Sequence, residues 1–180
     1  MSVVLTGQRV RLRAFRAEEY ERVWREESRD LGEHQHPIPD DLGERDRLFA
    51  RLRLAGSWTP EELRLAVEGD GELVGDIQAR VSTWALPPGV TELGINVFAG
   101  ARGKGYGTEA LRLLCAHLFE DGRVHRVQLS TDVDNLAMRR AADKAGFTCE
   151  GVLRSYWASP PNQARDYAMY ARIRTDHEGT

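Results

Sequence analysis

The 180-residue sequence predicts a mixed α/β fold with one mostly antiparallel sheet, a central parallel strand pair and helices on both faces. Segments with alternating apolar residues, typical of strands, are interleaved with segments of helical periodicity. A strand, a helix and a strand follow one another around residues 91 to 131. This order implies a parallel pair joined by a right-handed crossover. The length suits a single domain over residues 1–180.

The elements of the first half follow from these periodicities. Apolar and basic residues alternate in QRVRLRAF, which predicts a half-buried strand. RAEEYERVWREES carries Tyr20, Val23, Trp24 and Glu27 at helical spacing, and LGERDRLFARLRL predicts a second amphipathic helix. The segment between them, GEHQHPIPDD, is a loop by its glycine, prolines and aspartates. Two strands around a glycine-rich turn are predicted for ELRLAVEGDGELVGDIQARV.

The second half contains the clearest helix of the sequence. TELGINVF predicts a strand that runs through AGARGKGYG into a helix ending near residue 120. Leu111, Leu114, Cys115 and Leu118 form the apolar stripe of this helix. HRVQLST is a further strand, and Asn135 is placed to cap the next helix. FTCEGVL and DYAMYARIR predict the last two strands.

Composition excludes several classes of function. The net charge of −3 and the isoelectric point near 6.0 argue against a general nucleic-acid-binding protein. No segment is long and apolar enough to span a membrane, and the arginine-rich N-terminus does not read as a secretory signal. Cys115 and Cys149 give no disulfide framework. These features predict a cytoplasmic protein without a nucleic-acid or membrane partner.

The segment ARGKGYGTEA, residues 101–110, predicts a loop that binds phosphate. Unpaired backbone N–H groups at the start of a helix attract anions, and glycines let the anion approach the backbone. A nucleoside-triphosphate loop requires Ser or Thr after the Gly-Lys pair, where this sequence has Gly105. In a dinucleotide fingerprint the third glycine would fall on Thr108 and the acidic residue near Asp121, at a helix end. Neither alternative fits.

The pattern Arg102-x-x-Gly105-x-Gly107 resembles the pyrophosphate loop of the GNAT superfamily of acyl-CoA N-acyltransferases. GKGYGTEALRLLCAHLFED, VHRVQLSTDVDN, KAGF and EGVLR are similar, in order and spacing, to the ribosomal-protein-alanine N-acetyltransferase (RimJ/RimL-like) branch. Residues 30 to 60 have no clear counterpart in that branch. The resemblance implies a GNAT fold, N-acetyltransferase activity, acetyl-CoA as cosubstrate, a primary-amine acceptor and a homodimer.

The resemblance also implies which residues bind the cosubstrate. A strand backbone pairs with the pantetheine amides, the glycine loop binds the pyrophosphate, and an asparagine contacts the cofactor across the cleft. The implied cofactor-binding residues are Ile95, Asn96, Val97, Arg102, Gly103, Lys104, Gly105, Tyr106, Gly107, Thr108 and Asn135. Glu109, in the first turn of the following helix, is interpreted as structural because a carboxylate there suits the helix dipole.

The chemistry of acyl transfer leaves the general acid open. The tetrahedral intermediate needs a hydrogen-bond donor, for which the backbone N–H near Val97 is the candidate. The positions at which relatives carry a catalytic tyrosine or serine are Ala142 and Met138 in this sequence. Tyr106 and Tyr156 are the remaining candidates for donating a proton to the leaving thiolate.

The general base is also open. Glu92, near the start of the fourth predicted strand, is the candidate, acting through a water molecule. Cys115 lies in a helical apolar stripe and is not proposed as a nucleophile. His34 and His36 form a His-x-His pair, but two histidines without a third ligand do not predict a metal site. No metal is therefore expected.

The pKa of the amine distinguishes between the possible classes of acceptor. An α-amine with a pKa of about 8 is neutral roughly once in ten at pH 7, whereas a lysine amine is neutral roughly once in 2,500. Sparse acid–base residues therefore favour a protein or peptide N-terminal α-amine. A small-molecule amine, such as an amino acid or aminoglycoside, and a non-catalytic acyl-CoA-binding module remain alternatives. Trp58 and Trp84 are candidates for lining the acceptor pocket.

Overall fold

The computed structural model describes residues 2–29, 41–81, 85–159 and 163–178. The strands are β1 (Leu5–Thr6), β2 (Val10–Arg13), β3 (Glu62–Gly69), β4 (Glu72–Arg80), β5 (Val90–Val97), β6 (Arg126–Asp132), β7 (Thr148–Ser159) and β8 (Gln163–Ile173). The helices are α1 (Tyr20–Arg29), α2 (Leu42–Leu54), α3 (Tyr106–Glu120), α4 (Leu136–Lys144) and α5 (Arg174–Glu178). Neither β1 nor α5 is predicted from the sequence, because each is too short to show a periodicity.

All of these strands belong to one sheet in the order β1-β2-β3-β4-β5-β6-β8-β7. Every neighbouring pair is antiparallel except β5 and β6, which are parallel and are joined through α3. The predicted mixed sheet with a central parallel pair is therefore confirmed.

The two faces of the sheet are covered by different helices, which confirms helices on both faces. On one face, the stripe Leu111, Leu114, Cys115 and Leu118 of α3 packs into a large apolar core together with residues of the central strands. On the other face, α1 and α2 contribute a smaller core. Its fully buried helical residues are Val23, Leu48 and Leu52. No helix in the described ranges is long and apolar enough to cross a bilayer.

Strand β2 departs from simple alternation at Arg13. The sequence pattern places Arg13 with Arg9 and Arg11 on the side opposite to the apolar residues. In the structure Arg13 is only 6% exposed. Its guanidinium pairs with Glu19 at 2.6 Å and with Glu68 at 2.8 Å, and these carboxylates make its burial tolerable.

The start of α3 is held against β2 by Glu109. The Glu109 Oε1 accepts hydrogen bonds from the backbone N–H groups of Arg9 at 2.9 Å and Val10 at 3.1 Å. A Cβ added at Gly7 would collide with the same carboxylate oxygen, so the chain before β2 must be bare there. Glu109 therefore has a structural role, as predicted, and connects the start of β2 to the helix that follows the glycine loop.

Replacing Glu109 by alanine should destabilise the fold. The Glu109→Ala variant leaves two backbone donors without their acceptor, which lowers the free energy of unfolding by roughly 1–3 kcal/mol. Urea unfolding followed by circular dichroism measures this loss. Glu120→Ala, at the exposed C-terminal end of the same helix, is the control and should unfold at the wild-type urea concentration. Equal midpoints for the two variants would contradict the structural role.

Candidate active site

The central strands β5 and β6 separate after three residue pairs. Their parallel pairing joins Val90–Glu92 to Arg126–Gln128 and then stops. Strand β5 continues along β4 as far as Val97, while β6 continues along β8 as far as Asp132. The sheet therefore opens into a gap, and one edge of the second half of β5 has no neighbouring strand.

The main-chain groups of Ile95 and Val97 face this gap. The backbone N–H of Phe98 donates to Val74 of the β4 strand at 2.9 Å. Because main-chain groups alternate in direction along an antiparallel strand, those of Val97 and Ile95 point away from β4. The Arg102 Nε donates to the Val97 carbonyl at 2.9 Å from the gap side, consistent with this direction.

Asn96 has the opposite orientation. A Cβ added at Gly75 of β4 would collide with the Asn96 carbonyl oxygen, so the main chain of Asn96 faces β4 and not the gap. The sequence grouped Asn96 with Ile95 and Val97 as one run of backbone contacts to pantetheine. The alternation of the strand corrects that grouping, because only every second residue can offer its backbone to a ligand in the gap.

A cavity of about 560 Å³ lies at the gap, between β5, α3 and α4. The predicted cofactor-binding residues that line it are Ile95, Asn96, Val97, Arg102, Gly103, Gly105, Tyr106, Gly107, Thr108 and Asn135. Lys104 is the exception. It lines a smaller cavity of about 310 Å³ on the other side of the loop, together with Asp70 and Tyr106.

The glycine loop uses conformations that favour glycine. Gly103 and Gly105 have φ angles of 77° and 89°, in the left-handed region. Gly105 is the N-cap of α3 and supplies no side-chain acceptor, so the first N–H groups of the helix remain available to an anion. A Cβ at Gly107 would lie 3.4 Å from Val97 Cγ2, where it would narrow the space between helix and strand. These features make the loop suitable for binding an anion through its backbone N–H groups.

The Tyr106 side chain points out of the cavity and holds the glycine loop in position through hydrogen bonds. Its hydroxyl donates to Asp70 Oδ2 at 2.8 Å, and Arg9 Nη2 donates to the same hydroxyl at 3.2 Å. Arg9 Nη1 also donates to the Lys104 carbonyl at 3.0 Å. The hydrogen bond to Asp70 raises the pKa of Tyr106, and the hydrogen bond from Arg9 lowers the pKa of Asp70. The raised pKa of Tyr106 and the contacts of its hydroxyl with Asp70 and Arg9 disfavour it as a general acid at the gap.

Helix α4 brings two cations to the cavity that the sequence interpretation missed. Ala137, Arg140, Ala141 and Lys144 all line the cavity from one face of this helix. Arg140 and Lys144 are exposed and lie one helical turn apart. The signal in the sequence was their i, i+3, i+4, i+7 spacing from Ala137, which places basic and small residues on the same face. They add positive charge on the side of the cavity opposite the glycine loop.

Asn135 is the N-cap of α4, as predicted. Its Oδ1 accepts a hydrogen bond from the Met138 backbone N–H at 3.1 Å. Met138 lines the cavity, whereas Ala142 is fully buried in the core. At the two positions where family members carry a hydroxyl group, this chain therefore has apolar side chains, and neither can donate a proton at the cavity.

The two predicted catalytic side chains lie away from the cavity. Glu92 is at the point where the strands separate, and its carboxylate pairs with Arg80 at 2.9 Å. Tyr156 is 49% exposed near the far edge of the sheet, where its ring lies 5.6 Å from that of Tyr167. Neither residue lines the cavity. Their catalytic roles stay predictions.

Other side chains singled out in the sequence also lie away from the gap. Burial raises the pKa of the Cys115 thiol to about 12, consistent with an inert core residue. Trp58 is 44% exposed and lines neither cavity described above. Trp84 and the His34–His36 pair lie outside the described residues. Among the residues that are described, no group of three His, Cys, Asp or Glu side chains is arranged to hold a metal ion.

Comparisons with known proteins agree with this architecture. Residues 9–148 match the family model described as acetyltransferase (GNAT) domain. The chain is 40% identical over 52 residues to a Bacillus subtilis (strain 168) protein described as probable N-acetyltransferase YjcK. That match spans 29% of this chain and 29% of the relative.

Solved structures share the fold over nearly the whole chain. RimL, a ribosomal L7/L12 alpha-N-protein acetyltransferase in complex with coenzyme A, superposes with a TM-score of 0.78 at 18% identity, covering 95% of this chain and 98% of RimL. Spermidine N-acetyltransferase from Vibrio cholerae, in complex with CoA and spermine, gives 0.77 at 16% identity, covering 96% and 99%. At these identities the likeness concerns the fold. The family match covers most of the chain, which therefore belongs to the GNAT acetyltransferase family.

Proposed function

We propose that this protein transfers the acetyl group of acetyl-CoA to a primary amine, and that its preferred acceptor is the N-terminal α-amine of a protein or peptide. The observation that carries the proposal is the gap between β5 and β6, with the glycine loop and the N-terminus of α3 at its edge. A thioester group brought into this gap meets a strand edge whose backbone groups are free to pair with it.

Three groups of residues would hold the cosubstrate. The main-chain groups of Ile95 would pair with the pantetheine, and the Val97 N–H would face the thioester carbonyl. The loop from Arg102 to Thr108 would bind the pyrophosphate through backbone N–H groups, helped by the dipole of α3. Arg140 and Lys144 would neutralise further phosphate charge from α4. The positive φ angles of the loop and the bare face at Gly107 support this assignment.

The reaction would proceed by direct attack of the amine on the thioester carbonyl. The nitrogen–carbon bond forms first, and the carbonyl oxygen becomes an oxyanion. The backbone N–H of Val97, which faces the gap, is suited to stabilise that oxyanion because a fixed donor needs no reorganisation. The carbon–sulfur bond then breaks, and the thiolate of coenzyme A takes up a proton.

A small-molecule amine is the second candidate for the acceptor. The fold shared with spermidine N-acetyltransferase from Vibrio cholerae supports this alternative. The pKa argument still favours an α-amine, because deprotonating a lysine-type amine at pH 7 requires roughly 3 kcal/mol more. A binding module without catalysis is a third reading, and turnover distinguishes it from both. A single domain over residues 1–180, a homodimer and a cytoplasmic location stay predictions.

Gly105→Ala should weaken acetyl-CoA binding about tenfold. A residue with a Cβ is strained by about 1–2 kcal/mol in the left-handed region, so the free loop relaxes and the strain returns when the ligand binds. Isothermal titration calorimetry measures the affinity. Gly100→Ala is the control, because a Cβ at exposed Gly100 meets nothing within 4 Å. Equal affinities for both variants would argue against the loop as the pyrophosphate site.

The acceptor is tested with a panel of amines and a thiol-detecting reagent. Acetyl-CoA should raise the melting temperature of the protein, and peptides with free α-amines should release thiol faster than polyamines or free lysine at pH 7. Faster turnover of polyamines would move the assignment to the small-molecule class. Binding of acetyl-CoA without thiol release from any amine would indicate the non-catalytic module. The absence of any melting shift would overturn the proposed function itself.

A further inference from the structure

The face of the sheet turned towards α1 carries a buried polar cluster. Asp76 of β4 lies directly opposite Asn96 of β5 and directly opposite Ala66 of β3, so these side chains share one face. Ala66 packs into the core formed with α1 and α2, which identifies that face. The cluster therefore lies across the sheet from α3 and the glycine loop.

Arg64 of β3 occupies the centre of the cluster, and three of its five N–H groups donate to side chains on the same face. Its Nη1 donates to Asp76 Oδ2 at 2.7 Å, its Nη2 to Gln78 Oε1 at 2.6 Å, and its Nε to Glu62 Oε1 at 3.4 Å. Asp76 is 2% exposed. Burial raises the pKa of Asp76, against the attraction of Arg64. The ion pair is thus complete without any other acceptor.

Glu27 of α1 is buried beside this pair without a partner of its own. It is 7% exposed, next to the inward-facing Val23 and Trp24. Within the described part of the chain, no hydrogen bond or ion pair to the Glu27 carboxyl is found. Burial, and then the nearby Asp76 carboxylate, raises its pKa to about 8, with Arg64 and Arg51 opposing the rise. Burying a carboxyl without a hydrogen-bond partner lowers the free energy of unfolding.

Asn96 supplies a second unused group on the same face. Its Oδ1 is buried and has no hydrogen-bond partner among the described residues. Asn96 is also part of the gap, because it lines the cavity between β5 and α4. Its main chain faces β4, so its side-chain oxygen is its free acceptor. Among the described residues, Glu27 and Asn96 Oδ1 are therefore two acceptors without a donor near Asp76, and Asn96 also lines the cavity at the gap.

We propose that Glu27 and Asn96 Oδ1 hold the primary ammonium group of the acceptor and that Glu27 removes its proton. The ligand chemistry follows from the two acceptors that lack a donor among the described residues, because a protonated primary amine offers three donors. The cosubstrate approaches from the α3 and α4 side, and the amine from the α1 side. The inference rests on the proposed function and names the residues that serve it.

The proton balance of this step is complete. The ammonium gives a proton to the Glu27 carboxylate and becomes a neutral amine. The amine attacks the thioester, and the second proton on nitrogen goes to the departing thiolate as the carbon–sulfur bond breaks. The proton on Glu27 returns to solvent before the next turnover. A carboxyl with a pKa near that of an α-amine exchanges this proton without a large uphill step.

The first experiment compares Glu27→Gln with Glu21→Gln in steady-state turnover of the best acceptor of the amine panel. Glu21 is the control because it lies on the same helix, exposed, in a surface pair with Arg45. We expect Glu27→Gln to lower kcat by about 100-fold or more with an unchanged KM for acetyl-CoA, and Glu27→Asp to recover part of the loss. Asn96→Ala should raise the KM for the amine. The Glu21→Gln variant should match the wild type.

The pH dependence of kcat distinguishes the titration of Glu27 from the titration of the acceptor amine. With two acceptors whose amines differ in pKa, the wild-type rate should rise through a pH near 8 in both cases. In Glu27→Gln that inflection should be lost, and any remaining inflection should lie at the pKa of the acceptor amine used. Wild-type turnover with an unaltered Glu27→Gln profile would overturn this inference alone. Acetyl-CoA binding without wild-type turnover of any amine would overturn the proposed function and this inference with it.

Folding stability gives an additional prediction that needs no turnover. The pKa of Glu27 is raised from 4.5 to about 8, so the folded protein retains a proton that the unfolded chain releases in that range. The stability contributed by the protonated carboxyl is present below pH 4.5 and is lost as the pH rises towards 8. Glu27→Gln should therefore melt above the wild type at pH 8, with a smaller difference at pH 5. A lower melting temperature at pH 8 would mean that Glu27 is a stabilising structural group.

Discussion

The separation of β5 from β6 after Glu92 and Gln128 is the constraint on which the rest of the site depends. Strand β5 stays with β4, and β6 stays with β8, so neither can close the space between them. Unpaired backbone groups in a sheet are normally avoided. Here they coincide with the start of α3, whose N–H groups are also unpaired. The fold thus concentrates unused donors at one place, and an extended anionic ligand matches them.

The loop at this place is fixed before any ligand arrives. Arg9 binds the Lys104 carbonyl and the Tyr106 hydroxyl, Glu109 holds the backbone of β2, and Arg102 binds the Val97 carbonyl. The contacts of Arg9 and Glu109 join residues 95 to 100 positions apart in the sequence, whereas Arg102 and Val97 are five positions apart. A loop that is ordered in advance loses less conformational entropy when it binds, so more of the interaction energy appears as affinity.

The sequence predicted the features that depend on local pattern. The parallel pair, the helices on both faces, the loop and the cap at Asn135 all follow from periodicity, glycine spacing or a short motif. Features that depend on strand register were not predicted. Whether Asn96 offers its backbone or its side chain is decided by which neighbour β5 keeps, and the isolation of Glu27 is decided by what α1 packs against. Neither feature can be predicted from a local sequence pattern, because both depend on the positions of elements that are distant in the sequence.

The buried cluster is easier to understand as a functional feature than as a stabilising one. An ion pair such as Arg64–Asp76 inside a protein often contributes no more than well-packed apolar residues would. Glu27 beside it adds a buried carboxyl to which no described residue donates a hydrogen bond, and the fold must tolerate it. A site that must hold and deprotonate an ammonium group needs this kind of unsatisfied acceptor. Its pKa also discriminates: a lysine amine with a pKa of about 10.4 would give up its proton to Glu27 uphill, whereas an α-amine would exchange it nearly evenly. The proposed preference for α-amines would thus follow from the same electrostatic arrangement that raises the pKa of Glu27.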